Sequence, residues 1–464
     1  MAPRLLHYSD IENVYDAPER VGRLAGLLDE LRGDDAILAG SGDNTSPGVL
    51  ALVENGAQAL DFYEAVRPDV ETFGNHEFDH GKADLRRLVA DSPQTWVSAN
   101  VWETRSDSEE RFAAAEGVVP ATTVEVGGET VGFVGVTTAR TASLNPFATD
   151  LEFADPVESA RKALADLDAD YTAVLSHLGN GDEELARAVD ADAILGGHVP
   201  TERRDRIEGT LLTRPGDGGS VVLEVDLGTG EVAHHEVADA PVHEGVAAAM
   251  RERLAETGLN DVVGRVEEPV CRAETTLFGG ECRLGNLVAD AYRWATGAEV
   301  GLQNSGGVRT GDPLEGEVTA ADVVSVTPFE ENLAVAEVPG EALRDAFEWA
   351  AGPDLDFAEP DWWHAQVSGA EIAWDPETCA VESVRVGGDR LDTDRTYSVA
   401  LSEYVLHTDD EFPSLGEDLL VERGDIQYEV LVDYARAEGV DAELDGRVRA
   451  VGPTAVDGWG SADR

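Results

Sequence analysis

Residues that can bind metal ions or transfer protons are concentrated in one short run, 74–79, which reads Gly-Asn-His-Glu-Phe-Asp. The run follows a predicted strand at 70–73 and contains an amide, an imidazole and two carboxylates. Asn75, His76 and Asp79 are side chains of the kind that ligate divalent cations or act as general acids and bases. A solvated polar turn would explain the run if it stood alone, so its meaning depends on the rest of the chain.

Similar side chains follow other predicted strands in the first 200 residues. Short apolar runs alternate there with helical periodicity, which is typical of an α/β layer fold. Ligands bind in such folds beyond the carboxyl ends of the strands. The polar residues at predicted strand ends are Asp10, Asp43, Asn75, His76, His177 and His198. We therefore expect these side chains to converge at one edge of a sheet.

Aspartate, asparagine and histidine together form a mixed oxygen and nitrogen ligand set for divalent cations such as Mn, Zn, Fe or Co. Two such cations about 3.5–4 Å apart can clamp a phosphoryl group and lower the pKa of a bound water. We expect Asp43 to bridge the two cations. The further ligands of one cation would be Asn75, His177 and His198.

His76 stays outside this ligand set, and we predict that it protonates the leaving oxygen. Asp79, three residues along, would hold the imidazole in the required tautomer and stabilise its cation. The sequence therefore predicts a metal-dependent phosphohydrolase with His76 and Asp79 as a catalytic pair.

The elements around these motifs are predicted from periodicity and turn residues. A helix is expected from about Pro18 with Asp16 as its cap, and a second helix near 50–66. Gly127 and Gly128 form the predicted turn of a hairpin. The tryptophans interpreted as packing residues are Trp362, Trp363 and Trp374.

The order of the motifs in the first half resembles that of the calcineurin-like metallophosphoesterases. These motifs are Asp10-x-Glu12, Gly42-Asp43, the run 74–79, Ser-His-Leu-Gly at 176–179 and Gly-Gly-His at 196–198. The second half resembles the 5'-nucleotidase C-terminal domain. Its motifs are Gly-Asn-Leu at 285–287, Asn-Ser-Gly-Gly-Val-Arg at 304–309 and Thr-Pro-Phe at 327–329. The chain is thus similar to the 5'-nucleotidase family that includes UDP-sugar hydrolase and 2',3'-cyclic phosphodiesterase.

The resemblance implies an α/β (α+β) chain in which a four-layer αββα sandwich is followed by an α/β substrate-binding domain. It also implies a hinge rotation that carries the substrate between the two. We place the catalytic domain at 1–240, a charged linker helix at 241–258, the C-terminal domain at 259–455 and a polar tail at 456–464.

The resemblance also assigns roles to residues of the C-terminal domain. Asn304 and Arg309 correspond to substrate-binding positions. Phe329 and Phe412 correspond to aromatic residues that sandwich the base, and stacking of this kind tolerates any base. Asp418 is a candidate contact to a ribose hydroxyl. Phe329 could instead be a core residue that follows a proline.

Two departures from the family pattern concern the first metal ion. Glu12 occupies the place of the usual histidine, and Pro200 occupies the place of a histidine or glutamine ligand. Proline cannot ligate, but Asp10 and Glu12 could form an oxygen-rich site that favours Mn or Mg over Zn, with water in the vacant place. The alternative is a first metal that is weakly bound or absent.

The C-terminal domain departs from the pattern as well. The loop before Phe412 is acidic at 408–411 where the family has glycines, and the family's additional arginine before position 285 is not at its usual spacing. Arg272 and Arg283 are the candidates to replace it, because the guanidinium fork matches a phosphate or carboxylate.

The composition sets further limits. Asp and Glu number 93 against 34 Lys and Arg, a net charge of −59 that is spread over the whole chain. Such a surface repels itself unless salt screens it, which predicts a protein of a halophilic, archaeal cell with a salt-rich cytoplasm. The charge argues against nucleic acid and anionic membranes as partners. No apolar run long enough to span a membrane and no leader sequence is recognised, so we expect a cytoplasmic protein.

Three functions are consistent with these features. The first is a metal-dependent phosphohydrolase that releases phosphate from nucleotides or related esters. The second is a non-catalytic nucleotide-binding protein with a degraded metal site. The third is a hydrolase of a non-nucleotide phosphate ester or a cyclic nucleotide. The sequence carries no signal for an oligomeric state, and its three cysteines are expected to be free thiols.

Overall fold

The computed structural model describes residues 2–105, 108–352, 362–408 and 411–451. The polar tail expected at 456–464 and two residues of the acidic loop, 409 and 410, lie outside these ranges. The chain divides into two compact units, Met1–Thr257 and Gly258–Arg464. The segment interpreted as a linker carries a helix, Glu244–Glu256, that packs against a helix of the first unit. None of the helices in the described residues has the length and apolar character needed to cross a membrane.

The first unit alternates strands and helices. Its strands are β1 (Arg4–Tyr8), β2 (Ala36–Gly40), β3 (Val70–Glu71), β4 (Thr95–Trp96), β5 (Val101–Arg105), β6 (Ser108–Arg111), β7 (Ala121–Val126), β8 (Glu129–Thr137), β9 (Leu151–Phe153), β10 (Tyr171–His177), β11 (Ala193–Gly196), β12 (Arg203–Ile207), β13 (Thr210–Arg214), β14 (Val221–Asp226) and β15 (Val232–Glu236). Its α-helices are α1 (Pro18–Leu31), α2 (Val49–Glu54), α3 (Ala59–Val66), α4 (Gly81–Asp91), α5 (Thr141–Leu144), α6 (Pro156–Ala165), α7 (Asp182–Ala188) and α8 (Glu244–Glu256).

Two six-stranded sheets pack face to face in this unit, with strand orders β15-β14-β1-β2-β3-β4 and β12-β13-β11-β10-β8-β7. The core between them consists of apolar side chains of both sheets, including Leu5, Ile37, Phe133 and Leu175. Phe62 of α3 packs on Tyr8 at the outer face of the first sheet. Ala160 of α6 and Leu185 of α7 pack on the outer face of the second sheet. The result is the four-layer αββα sandwich that the family resemblance implied.

The strands that lead into the candidate ligands are parallel. In the first sheet β1, β2 and β3 run in the same direction, with Gly40 beside both Tyr8 and Glu71. In the second sheet β8, β10 and β11 do so, with Thr137 beside His177. All five residues of β2 are buried, which explains why this strand is apolar throughout. The loops that follow these strands therefore start at one edge of each sheet.

The second unit is also a mixed α/β structure. Its strands are β16 (Val262–Val270), β17 (Val300–Asn304), β18 (Leu314–Thr319), β19 (Asn332–Pro339), β20 (Ala365–Ser368), β21 (Ala370–Asp375), β22 (Ala380–Val386), β23 (Asp389–Arg390), β24 (Thr396–Ser402), β25 (Leu420–Ile426) and β26 (Val448–Ala450). Its α-helices are α9 (Glu274–Leu277), α10 (Arg283–Thr296), α11 (Ala320–Val324), α12 (Gly340–Ala350), α13 (Glu403–His407) and α14 (Gln427–Glu438).

A five-stranded sheet, β20-β17-β24-β19-β25, and a four-stranded sheet, β23-β22-β21-β26, form the body of this unit. Residues of both sheets and of α12 share one core that contains Trp363 and Trp374, whose ring centroids are 5.3 Å apart. Trp362 stacks on Phe278 at 4.1 Å. The interpretation of these tryptophans as packing residues is confirmed. The three cysteines form no disulfide in the described part of the chain.

Two local predictions are wrong. Asp16 does not cap α1; its carboxylate accepts hydrogen bonds from the backbone N–H groups of Val49 and Leu50, at the start of α2. The helix expected near 50–66 is interrupted, because Asn55 adopts a left-handed conformation with φ of 53°. Gly56 follows it, and α3 then begins at Ala59.

Candidate active site

Three of the predicted ligands form a compact group in the first unit. The ligand atoms of Asp43, His177 and His198 all lie within 4.8 Å of one another. His177 Nε2 is 2.8 Å from Asp43 Oδ2, and His177 Nδ1 is 2.8 Å from the Ser41 carbonyl oxygen. A carbonyl can only accept, so Nδ1 carries a hydrogen and Nε2 is the ring nitrogen available to a cation. Asp43 and His177 are both buried.

Asn75 has the features of a further ligand. Its side chain is only 6% exposed, and Oδ1 has no hydrogen-bond partner among the described residues. A buried carbonyl oxygen without a partner costs free energy, and a divalent cation would satisfy it. This orphan acceptor and the Asp43, His177, His198 group fit the mixed oxygen and nitrogen donor set of a divalent metal ion.

Asp10 and Glu12 lie on the loop after β1, next to the same group. The Asp10 carboxylate accepts a hydrogen bond from the His198 backbone N–H, at 3.0 Å to Oδ1. Burial raises the pKa of Asp10 to about 7. Burial together with the charges of Asp10 and Asp43 raises the pKa of Glu12 to about 7. Three carboxylates crowded in this way repel one another, and bound divalent cations would relieve that repulsion.

The backbone at these residues is unusual. The φ angles of Asp10, Glu12, Asp43 and His198 are 50°, 52°, 51° and 76°, all in the left-handed region. Such conformations cost about 1–3 kcal/mol each and persist only where the surroundings impose them. Their occurrence at four of the predicted ligands indicates that the loops are shaped for the site rather than for folding stability.

Close packing leaves no room for side chains at two glycines of the motifs. A Cβ atom at Gly74 would lie 2.1 Å from Asp43 Oδ1, and one at Gly197 would lie 2.8 Å from Asp10 Oδ2. Both positions therefore require glycine, because a Cβ would displace a carboxylate of the site.

Glu77 joins two of the ligand-bearing loops and was not assigned a role from the sequence. Its buried carboxylate accepts hydrogen bonds from the backbone N–H groups of Asp43, Asn44 and Gly74, at 2.9, 2.8 and 2.6 Å. Hydrogen bonds to a carboxylate are roughly twice as strong as neutral ones. The loop after β2 and the run 74–79 are thus tied together directly at Asp43.

His76 and Asp79 form the predicted pair, with His76 Nδ1 2.8 Å from Asp79 Oδ2. The His76 backbone N–H donates to Asp43 Oδ1 at 2.8 Å, which places the pair beside the metal-ligand group. Burial opposes a charged imidazole here, but the carboxylates of Asp43, Asp79 and Glu12 outweigh it and raise the pKa of His76 to about 10. Bound cations would reduce this shift, since they neutralise the same carboxylates.

Asn145 supports this pair, and sequence reasoning missed it. Its Nδ2 donates to Asp79 Oδ1 at 2.7 Å and to the Asn75 carbonyl oxygen at 3.2 Å. Ser46 Oγ donates to Asp79 Oδ2 at 3.0 Å. The only sequence signal for Asn145 is that it follows β8, which ends beside His177 at the same sheet edge.

In the second unit, Asn304 ends β17 and is buried, and its Oδ1 accepts a hydrogen bond from Gln303 Nε2 at 2.7 Å. The guanidinium of Arg309 lies over the ring of Phe329, 5.0 Å from its centroid. Phe329 is half-buried rather than part of the core. Asp418 is exposed on a short 3-10 turn.

Phe412 does not offer the open ring face that the resemblance implied. It is 0% exposed, and its ring packs against Trp349 and His364 with centroid distances of 5.4 and 5.8 Å. It belongs to the core that the two sheets of this unit share. The expected sandwich of Phe329 and Phe412 around a base is therefore corrected: in this structure Phe412 is a core residue.

Arg272 and Arg283, the candidates to replace the family's additional arginine, bond other groups of the second unit. Arg272 is buried and donates to the carbonyl oxygens of Arg309 and Ser325, at 3.1 and 2.7 Å from its Nη2. Arg283 donates to the Ala442 carbonyl oxygen at 2.9 Å and forms an ion pair with Asp441. Both guanidinium groups hold the fold of the unit together.

Comparison with known proteins agrees with this arrangement. Residues 3–202 match the family model of the calcineurin-like phosphoesterases, and residues 262–417 match that of the 5'-nucleotidase C-terminal domain. The first unit is thus a calcineurin-like phosphoesterase domain. The chain as a whole belongs to the family in which that domain is joined to a 5'-nucleotidase C-terminal domain.

Individual relatives are similar over most of the chain. A 5'-nucleotidase of Vibrio vulnificus is 27% identical over 88% of this chain and 84% of its own length. The trifunctional nucleotide phosphoesterase protein YfkN of Bacillus subtilis is 25% identical over 96% of this chain, which spans only 35% of that longer protein. The crystal structure of a 5'-nucleotidase precursor from Thermus thermophilus superposes with a TM-score of 0.70 at 27% identity, covering 96% of this chain and 99% of that one.

Proposed function

We propose that this protein is a metal-dependent phosphohydrolase that releases phosphate from nucleotides or related phosphate esters. The observation that carries the proposal is the grouping of Asp43, His177 and His198, with the His76–Asp79 pair held beside it by the backbone of His76. Ligands for cations and a separate acid are both needed for phosphoryl transfer to water.

Two divalent cations would be held by two donor sets, one for each cation, and Asp43 belongs to both sets. One set is Asp43, Asn75, His177 and His198, and it suits Zn, Fe, Co or Mn. The other set is Asp10, Glu12 and Asp43. Because that second set contains only carboxylates, we propose that it takes Mn or Mg.

When bound, the cations would act as Lewis acids on the phosphoryl oxygens and lower the pKa of a water molecule. His76 is not needed as a ligand, so its Nε2 is free to protonate the leaving oxygen. Asp79 holds Nδ1 and stabilises the imidazolium, and Asn145 and Ser46 hold Asp79 in turn. This chain of hydrogen bonds keeps the acid in one orientation.

In the second unit we propose Asn304, Arg309, Phe329 and Asp418 as substrate-binding residues. The half-buried Phe329 ring, covered on one face by Arg309, is the candidate for stacking on a base. Phe412 is left out because its ring is buried. The loss of that second stacking face favours, as the second candidate function, hydrolysis of a phosphate ester without a base.

A non-catalytic nucleotide-binding protein is the third candidate. A binder has no use for an acid aimed at a leaving group, yet His76 and Asp79 are paired and supported by two further side chains. This pairing favours an enzyme. We further propose that it works in the salt-rich cytoplasm of a halophile, because a net charge of −59 requires screening.

The test is phosphate release from a panel of nucleoside monophosphates, cyclic nucleotides and simple phosphate esters, in multimolar KCl with and without Mn. We expect Mn-dependent release that the His76→Ala substitution lowers by about 10²–10⁴-fold at unchanged metal content. Release from no ester by the Mn-loaded protein would refute the enzyme proposal. An unchanged rate in His76→Ala would remove this residue from the mechanism.

A further inference from the structure

The segment 138–145 lies directly against the candidate active site. It follows β8, whose last residue, Thr137, is beside His177 in the sheet register. The backbone N–H of Thr138 donates to the His177 carbonyl oxygen at 3.1 Å. At the other end, Asn145 bonds the Asn75 carbonyl oxygen and the Asp79 carboxylate. Both ends are therefore fixed to proposed ligands or to the catalytic pair.

Arg140 lies in this segment between those two anchor points, and its side chain is exposed. Within the described ranges its guanidinium forms neither an ion pair nor a hydrogen bond. Its backbone N–H donates to Thr138 Oγ1, and its carbonyl oxygen accepts from Ser143 Oγ. Other exposed arginines of this chain with 93 Asp and Glu, such as Arg187 and Arg251, pair with carboxylates. An unpaired guanidinium in such surroundings is available for an anionic ligand.

Arg140 is close to the site along the backbone. It lies two residues after Thr138, whose N–H bonds the His177 carbonyl oxygen, and five residues before Asn145, whose side chain bonds the Asp79 carboxylate.

The carboxylates of the site favour a cationic side chain nearby. Asp10, Glu12 and Asp43 bring three carboxylates to it, and each one reduces the positive charge that bound divalent cations would present to a phosphate dianion. In the second unit, Arg272 and Arg283 are committed to carbonyl oxygens. An additional guanidinium beside the metal ligands would restore attraction for the phosphoryl group.

We propose that Arg140 is a substrate-binding residue of the first unit that grips the phosphoryl group of the ester at the rim of the candidate active site. Arg140 would bind the dianion of a phosphate monoester as substrate and inorganic phosphate as product. The guanidinium fork can offer two parallel N–H donors to two phosphate oxygens. The inference rests on the proposed function, because it assigns a contact to the substrate of that reaction.

The test compares the full-length wild type with Arg140→Ala, Arg140→Lys and, as a matched control, Arg390→Ala. Arg390 is a second exposed arginine without an ion pair among the described residues, and it lies in β23, at the edge of the four-stranded sheet of the second unit. Binding of inorganic phosphate to the Mn-loaded protein is measured by calorimetry, and KM and kcat are measured on the best ester. All are measured in about 2 M KCl, where the Debye length is only about 2–3 Å and only direct contacts survive.

We expect Arg140→Ala to raise both the phosphate Kd and KM by about 5- to 20-fold, with kcat and metal content changed less than twofold. Lysine should recover part of this loss, because it keeps the charge but not the fork. Arg390→Ala should behave as the wild type.

Equal phosphate binding by wild type and Arg140→Ala would overturn the inference, whether or not the enzyme is active. If wild type hydrolyses no ester but Arg140→Ala still weakens phosphate binding, the anion contact stands and the proposed function falls. If the Mn-loaded wild type hydrolyses an ester but does not bind phosphate, the inference is overturned and the proposed function stands. If it neither binds phosphate nor hydrolyses an ester, both are overturned.

Discussion

Asn145 allows a direct test of how the acid of the site is positioned. Its Nδ2 donates to Asp79 Oδ1 at 2.7 Å and to the Asn75 carbonyl oxygen at 3.2 Å, while its Oδ1 accepts from the Phe147 N–H at 3.0 Å. Substitution Asn145→Ala removes all three bonds without adding a charge. We predict that it lowers kcat/KM and leaves the cations in place, because Asn145 acts on Asp79 and not on a ligand side chain.

The magnitude follows from the bond to Asp79. A hydrogen bond to an ionised group contributes about 1.5–3 kcal/mol, and each 1.4 kcal/mol changes a rate about tenfold. Because the bond matters for catalysis only by orienting the Asp79–His76 pair, we expect a fall of roughly 10- to 100-fold. Asn145→Asp should be worse, since it places a second carboxylate 2.7 Å from Asp79 Oδ1.

The assay is phosphate release, with metal content measured on the same samples. Ser143→Ala is the matched control, because Ser143 lies in the same segment and its Oγ bonds only the Arg140 carbonyl oxygen among the described residues. That variant should keep kcat/KM within about twofold. The reasoning is refuted if Asn145→Ala retains the wild-type kcat/KM, or if its loss of activity is fully explained by lost metal.

Three further predictions concern metal binding, acid stability and the second unit. Glu12→Ala should lower the Mn content from two equivalents to one, because the other donor set does not include Glu12; unchanged stoichiometry in elemental mass spectrometry would show that Glu12 is not a ligand. Burial and Arg214 lower the pKa of His7 to about 3 in the folded protein, against an ordinary value of 6.5. Below pH 6.5 the His7 side chain therefore binds a proton in the unfolded chain but stays neutral in the folded chain. As the pH is lowered from 6.5 to 3, the free energy of unfolding should fall by up to about 1.4 kcal/mol per pH unit. Denaturant titrations at pH 7.5 and 4.5 give the free energy of unfolding of the wild type and of His7→Gln. The fall in this free energy between the two pH values should be smaller in His7→Gln, and an equal fall in both proteins would contradict the prediction. Phe412→Ala should lower the free energy of unfolding by about 3–5 kcal/mol, because it empties a buried site, and should leave phosphate binding unchanged; a specific loss of nucleotide affinity at wild-type stability would instead return Phe412 to the base site.

Elements whose signals are local could be predicted well. α1 starts at Pro18, as expected, because the apolar periodicity and a proline at the first helical position suffice to predict it. The turn at Gly127 and Gly128 joins β7 to β8 in the same way. The polar residues after the strands could be grouped because parallel strands end at one edge, a consequence of the fold class alone.

Features that depend on tertiary partners could not be predicted. Asp16 caps α2 and not α1, because the nearest free N–H groups belong to another part of the chain. Asn145 reaches Asp79 across 66 residues of sequence, and a single asparagine in a loop has no periodicity to reveal it. Phe412 follows an acidic loop, but only the packing of Trp349 and His364 around it shows that the ring is buried.

The central claim is a two-cation centre that shares Asp43, and metal stoichiometry tests it most directly. Elemental mass spectrometry would be performed on protein purified in multimolar KCl, before and after loading with Mn, for the wild type and for Asp43→Asn. We predict two equivalents per chain for the loaded wild type. We predict close to none for the variant, because Asp43 is the one carboxylate that both donor sets need. One equivalent or fewer in the loaded wild type, or two equivalents retained by Asp43→Asn, would contradict the claim.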